Sequence, residues 1–216
     1  DFVNGGSGDA RVQLIRGAGL GVARARAAGA DAASGVKLIF LDAHVTPSAE
    51  WLTYFDELLA DPSIGLAGAT ITSLSDNGAK GNIYTVAGPD LAPGWHYRDC
   101  SEPFESPAIA GACMACRAEW YRACGGFDPG FRRYGREEIE LALRCWLLGF
   151  RCVTDPRVEI RHRFKTPSEQ GFTVSWDEVD YNTLRCAQMV LGSRRLQHVF
   201  STIGMRPSAW RATADL

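Results

Sequence analysis

Lys37-Leu38-Ile39-Phe40-Leu41-Asp42-Ala43-His44 is the stretch on which the fold is decided. Its apolar run is short and does not alternate, which is the mark of a strand buried on both faces. Asp42-Ala43-His44 then leaves the strand in a turn. Upstream, Arg11-Val12-Gln13-Leu14-Ile15 reads as a short strand, and residues 19–33, rich in Ala and Arg at helical spacing, read as a helix. Strand, helix and strand make a βαβ unit. Such a unit builds a parallel sheet and collects ligands at the carboxyl ends of its strands, so Asp42 and His44 stand where an α/β site forms. A carboxylate oxygen and an imidazole nitrogen at i and i+2 can share one divalent cation. A solvated turn is the plainer reading of the same residues.

Working outward, Pro47 and Ser48 open an amphipathic helix through Trp51, Leu52, Phe55, Leu58 and Leu59, closed by Asp61-Pro62. Residues 64–72 are a second buried strand. Residues 73–107, rich in Gly, Pro, Asp and Asn, read as irregular strands and loops over one face. Residues 108–117 are apolar, 119–124 make a short helix, and Gly125-Gly126-Phe127-Asp128-Pro129-Gly130 is a loop. Residues 136–148 return to helical period with Gly149 as the stop, a strand pair follows over 151–162, and helices are expected over 177–191 and 194–202 before a frayed tail. The expected fold class is therefore α/β, a central, mainly parallel sheet flanked by helices, organised as one domain over 1–216.

Composition narrows the function classes. The 216 residues are 46% hydrophobic and 22% charged, which excludes a disordered, collagen-like or coiled-coil chain. A net charge of −2 gives no general field for nucleic acid or an anionic membrane, so an anion must be met locally. No apolar run reaches the ~18 to 20 residues of a membrane span, and Asp1-Phe2-Val3-Asn4 lacks a basic leader, so the expected location is cytoplasmic. Seven cysteines at irregular spacing argue for free thiols. Cys113-Met114-Ala115-Cys116 sits in an apolar strand-like context, and a zinc-thiolate site built on Cys100, Cys113, Cys116 and Cys124 is the minor alternative.

Three further segments carry chemistry. Glu137, Glu138 and Glu140 open a helix, where carboxylates simply offset the helix dipole or, functionally, accept a proton from an attacking hydroxyl. Arg161-His162-Arg163-Phe164-Lys165 ends a strand with a histidine among cations; it is either solvated surface or, beside a diphosphate, a source of neutralising charge and of one more metal ligand. Arginines 185, 194, 195, 206 and 211 make the C-terminal segment basic, as a solvated face or as a lid over an anion.

Gly19-Leu20-Gly21-Val22-Ala23-Arg24 through Gly35, then Phe40-Leu41-Asp42-Ala43-His44 and Trp51-Leu52, resembles the nucleotide-sugar half of GT-A glycosyltransferases, polypeptide N-acetylgalactosaminyltransferases above all, with their D-x-H in place of D-x-D. Ala110-Gly111-Ala112 with Arg117 and Tyr121, Gly125 through Phe131, Tyr134 through Leu141 and Arg144 resemble the acceptor-side block of those enzymes and of family-2 transferases, and His162-Arg163-Phe164 is similar to their H-x-F segment. The resemblance implies a Rossmann-like GT-A nucleotide-diphospho-sugar transferase with Mn²⁺, or Mg²⁺, on Asp42, His44 and His162. By the same token Arg24, Asp42 and Arg163 contact the donor, Glu137 holds sugar or acceptor hydroxyls, and Glu138 falls at the catalytic base of inverting members, with retention the alternative outcome. The donor would be a UDP-sugar, the acceptor an undefined peptide, glycan, lipid or small molecule, with no nucleic-acid partner. The implied layout is a nucleotide and metal half over 1–72, an acceptor half over 73–165 and a helical extension over 166–216. Asn4-Gly5 stands where the family carries an acidic pair and no helix precedes Arg11, so the base-binding part reads as incomplete. A degenerate GT-A domain that only binds sugar or protein is the alternative function.

Overall fold

The computed structural model describes residues 12–17, 19–75, 77–169, 171–206 and 213. In chain order they form α1 (Gly21–Ala32), β1 (Lys37–Leu41), β2 (Val45–Pro47), α2 (Trp51–Leu58), β3 (Ile64–Ser73), β4 (Lys80–Gly81), β5 (Ile83–Val86), β6 (Pro93–His96), β7 (Phe104–Glu105), β8 (Cys113–Arg117), α3 (Ala118–Ala123), α4 (Glu137–Leu147), β9 (Arg151–His162), α5 (Trp176–Val190) and α6 (Ser193–Gly204). Seven strands make the central sheet in the order β1-β8-β3-β9-β2, with β4 on β3 and β7 on β9, while β5 and β6 form a separate hairpin. The α/β class holds, but the sheet is mixed rather than mainly parallel. Only β3 and β9 pair in parallel among the described strands; β8 lies antiparallel between β1 and β3, and β2 returns antiparallel along β9. Because β1 and β3 both oppose β8, and β9 follows β3, these three strands still share one direction and end at one edge of the sheet.

Two other expectations change. Residues 12–15 form no strand; Val12, Leu14 and Ile15 are exposed, and the partner of β1 among the described residues is β8 alone. A strand needs a neighbour to satisfy its backbone, and local alternation does not supply one. Arg11, the Asn4-Gly5 segment and most of the tail after 206 lie outside the described residues. The strand pair over 151–162 is one strand with an irregularity, its register against β3 shifting between Ala69 and Thr70. Pro156 has no N–H for the ladder, and the Asp155 carboxylate accepts from the Arg157 backbone N–H at 3.0 Å, which closes the bulge locally.

β3 is buried at every position. A Cβ on Gly65 would lie 2.5 Å from Cys145 Sγ and 2.8 Å from Trp120 Cε2, so glycine there lets α3 and α4 press onto the sheet. The cysteines are free thiols, and burial pushes Cys113 and Cys116 well above the usual thiol range. That CxxC is core, and no described cysteine joins a group able to hold a metal.

Below the site, the glycine loop is clamped by charge. Glu140, fully buried, bonds Arg144 through both oxygens at 2.7 Å, and Arg144 donates onward to the carbonyls of Cys124 and Gly126. Asp128 takes Arg185 from α5 at 2.6 Å. Asn182, also on α5 and fully buried, accepts from Arg132 N at 2.7 Å and donates to the carbonyls of Arg132, Tyr134 and Gly135 at 2.8, 3.1 and 3.0 Å. The turn entering α4 is thus tied to a helix some fifty residues further along the chain.

Candidate active site

The shared edge of β1, β3 and β9 opens into a cavity of about 420 Å³. Asp42 follows β1, with its backbone N–H held by Ala112 O at 3.2 Å. His162 ends β9, and β2 hooks back beside it with Val45 opposite His162, so the strand pairing delivers His44 to the same spot. His162 Nε2 lies 3.3 Å from Asp42 Oδ2, and the two imidazole rings are 4.6 Å apart. Asp42, His44 and His162 each offer a ligand atom within 4.8 Å of the others, and no other such group occurs among the described residues. Burial works to raise the Asp42 pKa, but the hydrogen bond from His162 and the charge of Arg26 outweigh it and hold the carboxyl below its usual range. Burial, then the charges at His162 and Lys165, push His44 down toward the neutral base that metal ligation requires. The Nδ1 of His162 is buried with no hydrogen-bond partner.

On the opposite wall, the start of α4 presents Glu137 and Glu138. Glu137 accepts from Gly135 N at 3.0 Å and from Arg26 Nη1 at 3.2 Å. Burial, reinforced by the charge of Glu138, pushes Glu137 up to about 8, against the pull of Arg26. Glu138 accepts from the Tyr84 hydroxyl at 2.8 Å; burial, with Glu138 adding, drives that phenol far above its usual range. Glu140, the third acid of the run, faces away into the Arg144 clamp.

Arg26 joins the two walls. Its guanidinium reaches Asp42 Oδ1 at 3.2 Å, Gly111 O at 2.8 Å and Glu137 Oε1 at 3.2 Å, and a Cβ at Gly111 would come within 3.0 Å of it. The family resemblance implies Arg24 for the donor side and does not single out Arg26. Two residues are ~200° of helical turn, so one of the pair had to face away; Arg24 is the one that does, exposed and bonded to Pro129 O at 2.7 Å. Arg163 also stays outside the cavity, paired with Glu169 at 2.6 Å, while its neighbour Lys165 lines the opening. Tyr84 was missed because it lies in the stretch read as irregular. Of the C-terminal arginines, Arg185 and Arg206 are engaged in ion pairs with Asp128, Asp90 and Asp180, Arg194 and Arg195 are exposed, and Arg211 lies outside the described residues. None of the described ones lines the cavity.

Comparison with known proteins places the chain. Residues 2–125, more than half of it, match the model of glycosyl transferase family 2, and residues 94–168 match a model described as the N-terminal domain of galactosyltransferase. A Caenorhabditis elegans protein described as probable N-acetylgalactosaminyltransferase 8 is 29% identical over 80% of this chain and 44% of its own length. Polypeptide N-acetylgalactosaminyltransferase 10 of Rattus norvegicus is 28% identical over 67% of this chain and 26% of its own. The chain thus spans less than half the length of these relatives. Among solved structures, GalNAc-T7 with UDP, GalNAc and Mn²⁺ superposes with a TM-score of 0.71 at 21% identity, covering 88% of this chain and 38% of that one. The mannosyltransferase PcManGT of Pyrobaculum calidifontis, in complex with GDP-Man and Mn²⁺, gives 0.51 at 17% identity over 90% of this chain and 54% of that one. With a GT-A fold and a family model matched over most of its length, the chain belongs to glycosyl transferase family 2.

Proposed function

We propose that this chain carries the donor- and metal-binding site of a glycosyltransferase that moves a sugar from a nucleoside-diphosphate sugar, foremost a UDP-sugar, to a hydroxyl acceptor. The observation that carries the reading is the convergence of Asp42, His44 and His162 in one cavity with Glu137 and Glu138. One carboxylate oxygen and two imidazole nitrogens suit Mn²⁺, and a ligand atom from each of the three side chains lies within 4.8 Å of the others, with Nε2 the His162 nitrogen that faces Asp42. A divalent ion held there would neutralise the charge developing on the departing diphosphate. Relatives named N-acetylgalactosaminyltransferases and neighbours bound to UDP or GDP-Man with Mn²⁺ support the same reading.

The chain's own groups divide the remaining work. Arg26 orients Asp42 and Glu137 at once. Glu137, fixed by the Gly135 N–H, is set to hold a hydroxyl of sugar or acceptor, and Glu138 beside Tyr84 to take up a proton or hydrogen bond from the attacking hydroxyl. A purely binding module would have no use for two carboxylates facing three ligand-competent side chains. Calorimetric titration with UDP, with and without Mn²⁺, tests the proposal. UDP affinity should depend on the metal and weaken at least about tenfold in Asp42→Ala and in His44→Ala. Metal-independent binding, or affinity unchanged in both variants, refutes it.

A further inference from the structure

The β5–β6 hairpin stands apart from the central sheet, yet it supplies Tyr84, Pro93 and Trp95 to the lining of the cavity. Its base is tied into the body of the protein. Tyr84 bridges Ala108, the Tyr84 N–H donates to Ser106 Oγ at 3.2 Å, and the Trp95 ring lies so close over Gly81 that a Cβ there would come within 2.6 Å of it. The tip, residues 87–92, closes on itself through Ala87 N–H to Ala92 O at 2.7 Å. Leu91 within it is buried and holds φ +55°, left-handed backbone that a branched side chain seldom adopts. Such a conformation persists only where its surroundings fix it.

Arg206 is what reaches the tip from outside. It follows the end of α6, with its N–H bonded to Ile203 O at 2.9 Å, and its guanidinium forks. Nη1 donates to Asp180, fully buried on α5, and Nη2 donates to Asp90 beside Leu91. The other oxygen of Asp90 accepts from Ala92 N at 3.2 Å, so one carboxylate both shapes the turn and receives the arginine. On α5, two positions past Asp180, Asn182 holds the turn that presents Glu137 and Glu138. One helix therefore mounts both facing walls, α4 through Asn182 and the hairpin through Arg206, and the walls meet where the Tyr84 hydroxyl donates to Glu138 at 2.8 Å. We infer that Arg206, which does not itself line the cavity, is a positioning residue: it clamps the hairpin tip to α5 and so fixes the Tyr84–Pro93–Trp95 wall against Glu138. The inference rests on the sugar-transfer reading for its kinetic consequence, though not for its structural one.

Asp90→Ser cuts the link at the hairpin side. Serine can still accept from Ala92 N in the turn but is too short to meet Arg206, and the Arg206–Asp180 pair stays intact, so the fold is spared. Arg206→Met cuts the same link but also deprives buried Asp180 of its arginine, and it should lower the thermal midpoint further than Asp90→Ser does. Hydrogen exchange over residues 83–96 should speed up at least about tenfold in both variants, while β3 keeps its protection. Adding Asp90→Ser to Arg206→Met should speed the hairpin by no more than about twofold again, since the one link is already gone. With 5-fluorotryptophan incorporated, the Trp95 ¹⁹F signal, assigned by its loss in Trp95→Phe, should shift or broaden in Asp90→Ser. UDP affinity in the presence of Mn²⁺ should stay within about twofold, because the donor and metal residues lie on the other wall. With UDP-N-acetylgalactosamine and water as acceptor, kcat for release of UDP should fall at least about threefold in Asp90→Ser with KM nearly unchanged, the mark of lost positioning rather than lost binding. Unaltered hairpin exchange and an unmoved Trp95 signal overturn the inference, as does an Asp90→Ser variant that loses global stability and UDP affinity together. Absence of nucleotide-sugar turnover in the unaltered chain refutes the functional reading instead, and the exchange and fluorine measurements still decide the role of Arg206.

Discussion

Asn182→Leu tests whether the entrance to α4 is held from α5. The side chain is fully buried and serves four backbone groups, Arg132 N and the carbonyls of Arg132, Tyr134 and Gly135. Leucine has a similar volume, so the change removes hydrogen bonds with little change in packing. Each buried backbone group left without a partner costs about 1 to 3 kcal/mol. Taking the low end, because an opened turn can admit water, gives about 4 kcal/mol for the four. For a chain of this length that is a fall in thermal midpoint of about 8 to 16 °C. Thr183→Val is the control: Thr183 is equally buried, but its hydroxyl bonds only Val179 O of its own helix at 2.8 Å, and a loss of about 1 kcal/mol is expected. Urea unfolding and a thermal scan of both variants measure the difference. Equal losses in the two, or an Asn182→Leu loss under about 1 kcal/mol, would refute the claim that Asn182 organises the turn.

Two other expectations concern the charges beneath the site. Arg144→Leu strands the fully buried Glu140 carboxylate and should cost about 3 to 5 kcal/mol in urea unfolding. Glu140→Leu combined with Arg144→Leu should recover part of that, short of the whole, because the Cys124 and Gly126 carbonyls still lose their donor. For Asp128, burial acts to raise the pKa, but the bonds from Arg185 and Gly130 N prevail and hold it below the usual value. A carboxyl depressed in the folded state contributes stability above its unfolded pKa of about 4 and loses it as pH falls through the folded value. Asp128→Asn should therefore be less stable than the unaltered chain at pH 7 and converge toward it below about pH 4 when urea midpoints are compared across pH.

What the sequence made legible was local. β1 and its Asp42-Ala43-His44 turn, the helices α1, α2 and α4, and the acid run at Glu137 follow from short-range pattern, and the structure forms each within a few residues of its expected bounds. Strand direction was not legible. Residues 108–117 are apolar on both faces, and a doubly buried strand carries no alternation that says which way it runs or between which neighbours it enters. Arg26 and Arg24 are equivalent to any composition-based reading of an Ala- and Arg-rich helix; only the placement of Gly111 and Glu137 around one of them breaks the tie. Asn182 sits mid-helix with no local cue, since its four partners are some fifty residues away in sequence.

The two walls of the cavity join segments far apart in the chain, yet Arg26 makes them one electrostatic unit. Asp42 and Glu137 are 95 positions apart and share a single guanidinium with Gly111 O, and that guanidinium also lies 5.7 Å from the Phe127 ring centroid in the glycine loop. A lysine would not reproduce it: its ammonium gathers its donors at one point, whereas the rigid fork of Arg26 spreads them over Nη1 and Nη2 to meet three acceptors at once. A change of charge at the Asp42 side is therefore felt at Glu137 through a rigid intermediary rather than through solvent, which would screen it. The same low exposure that makes this coupling strong raises the Glu137 pKa, so the acid most tightly bound into the frame is also the one whose protonation is most easily altered by what binds beside it. Glu138, next along the helix, takes the Tyr84 hydroxyl and adds its own charge to the rise at Glu137, so the two acids of this wall do not act independently.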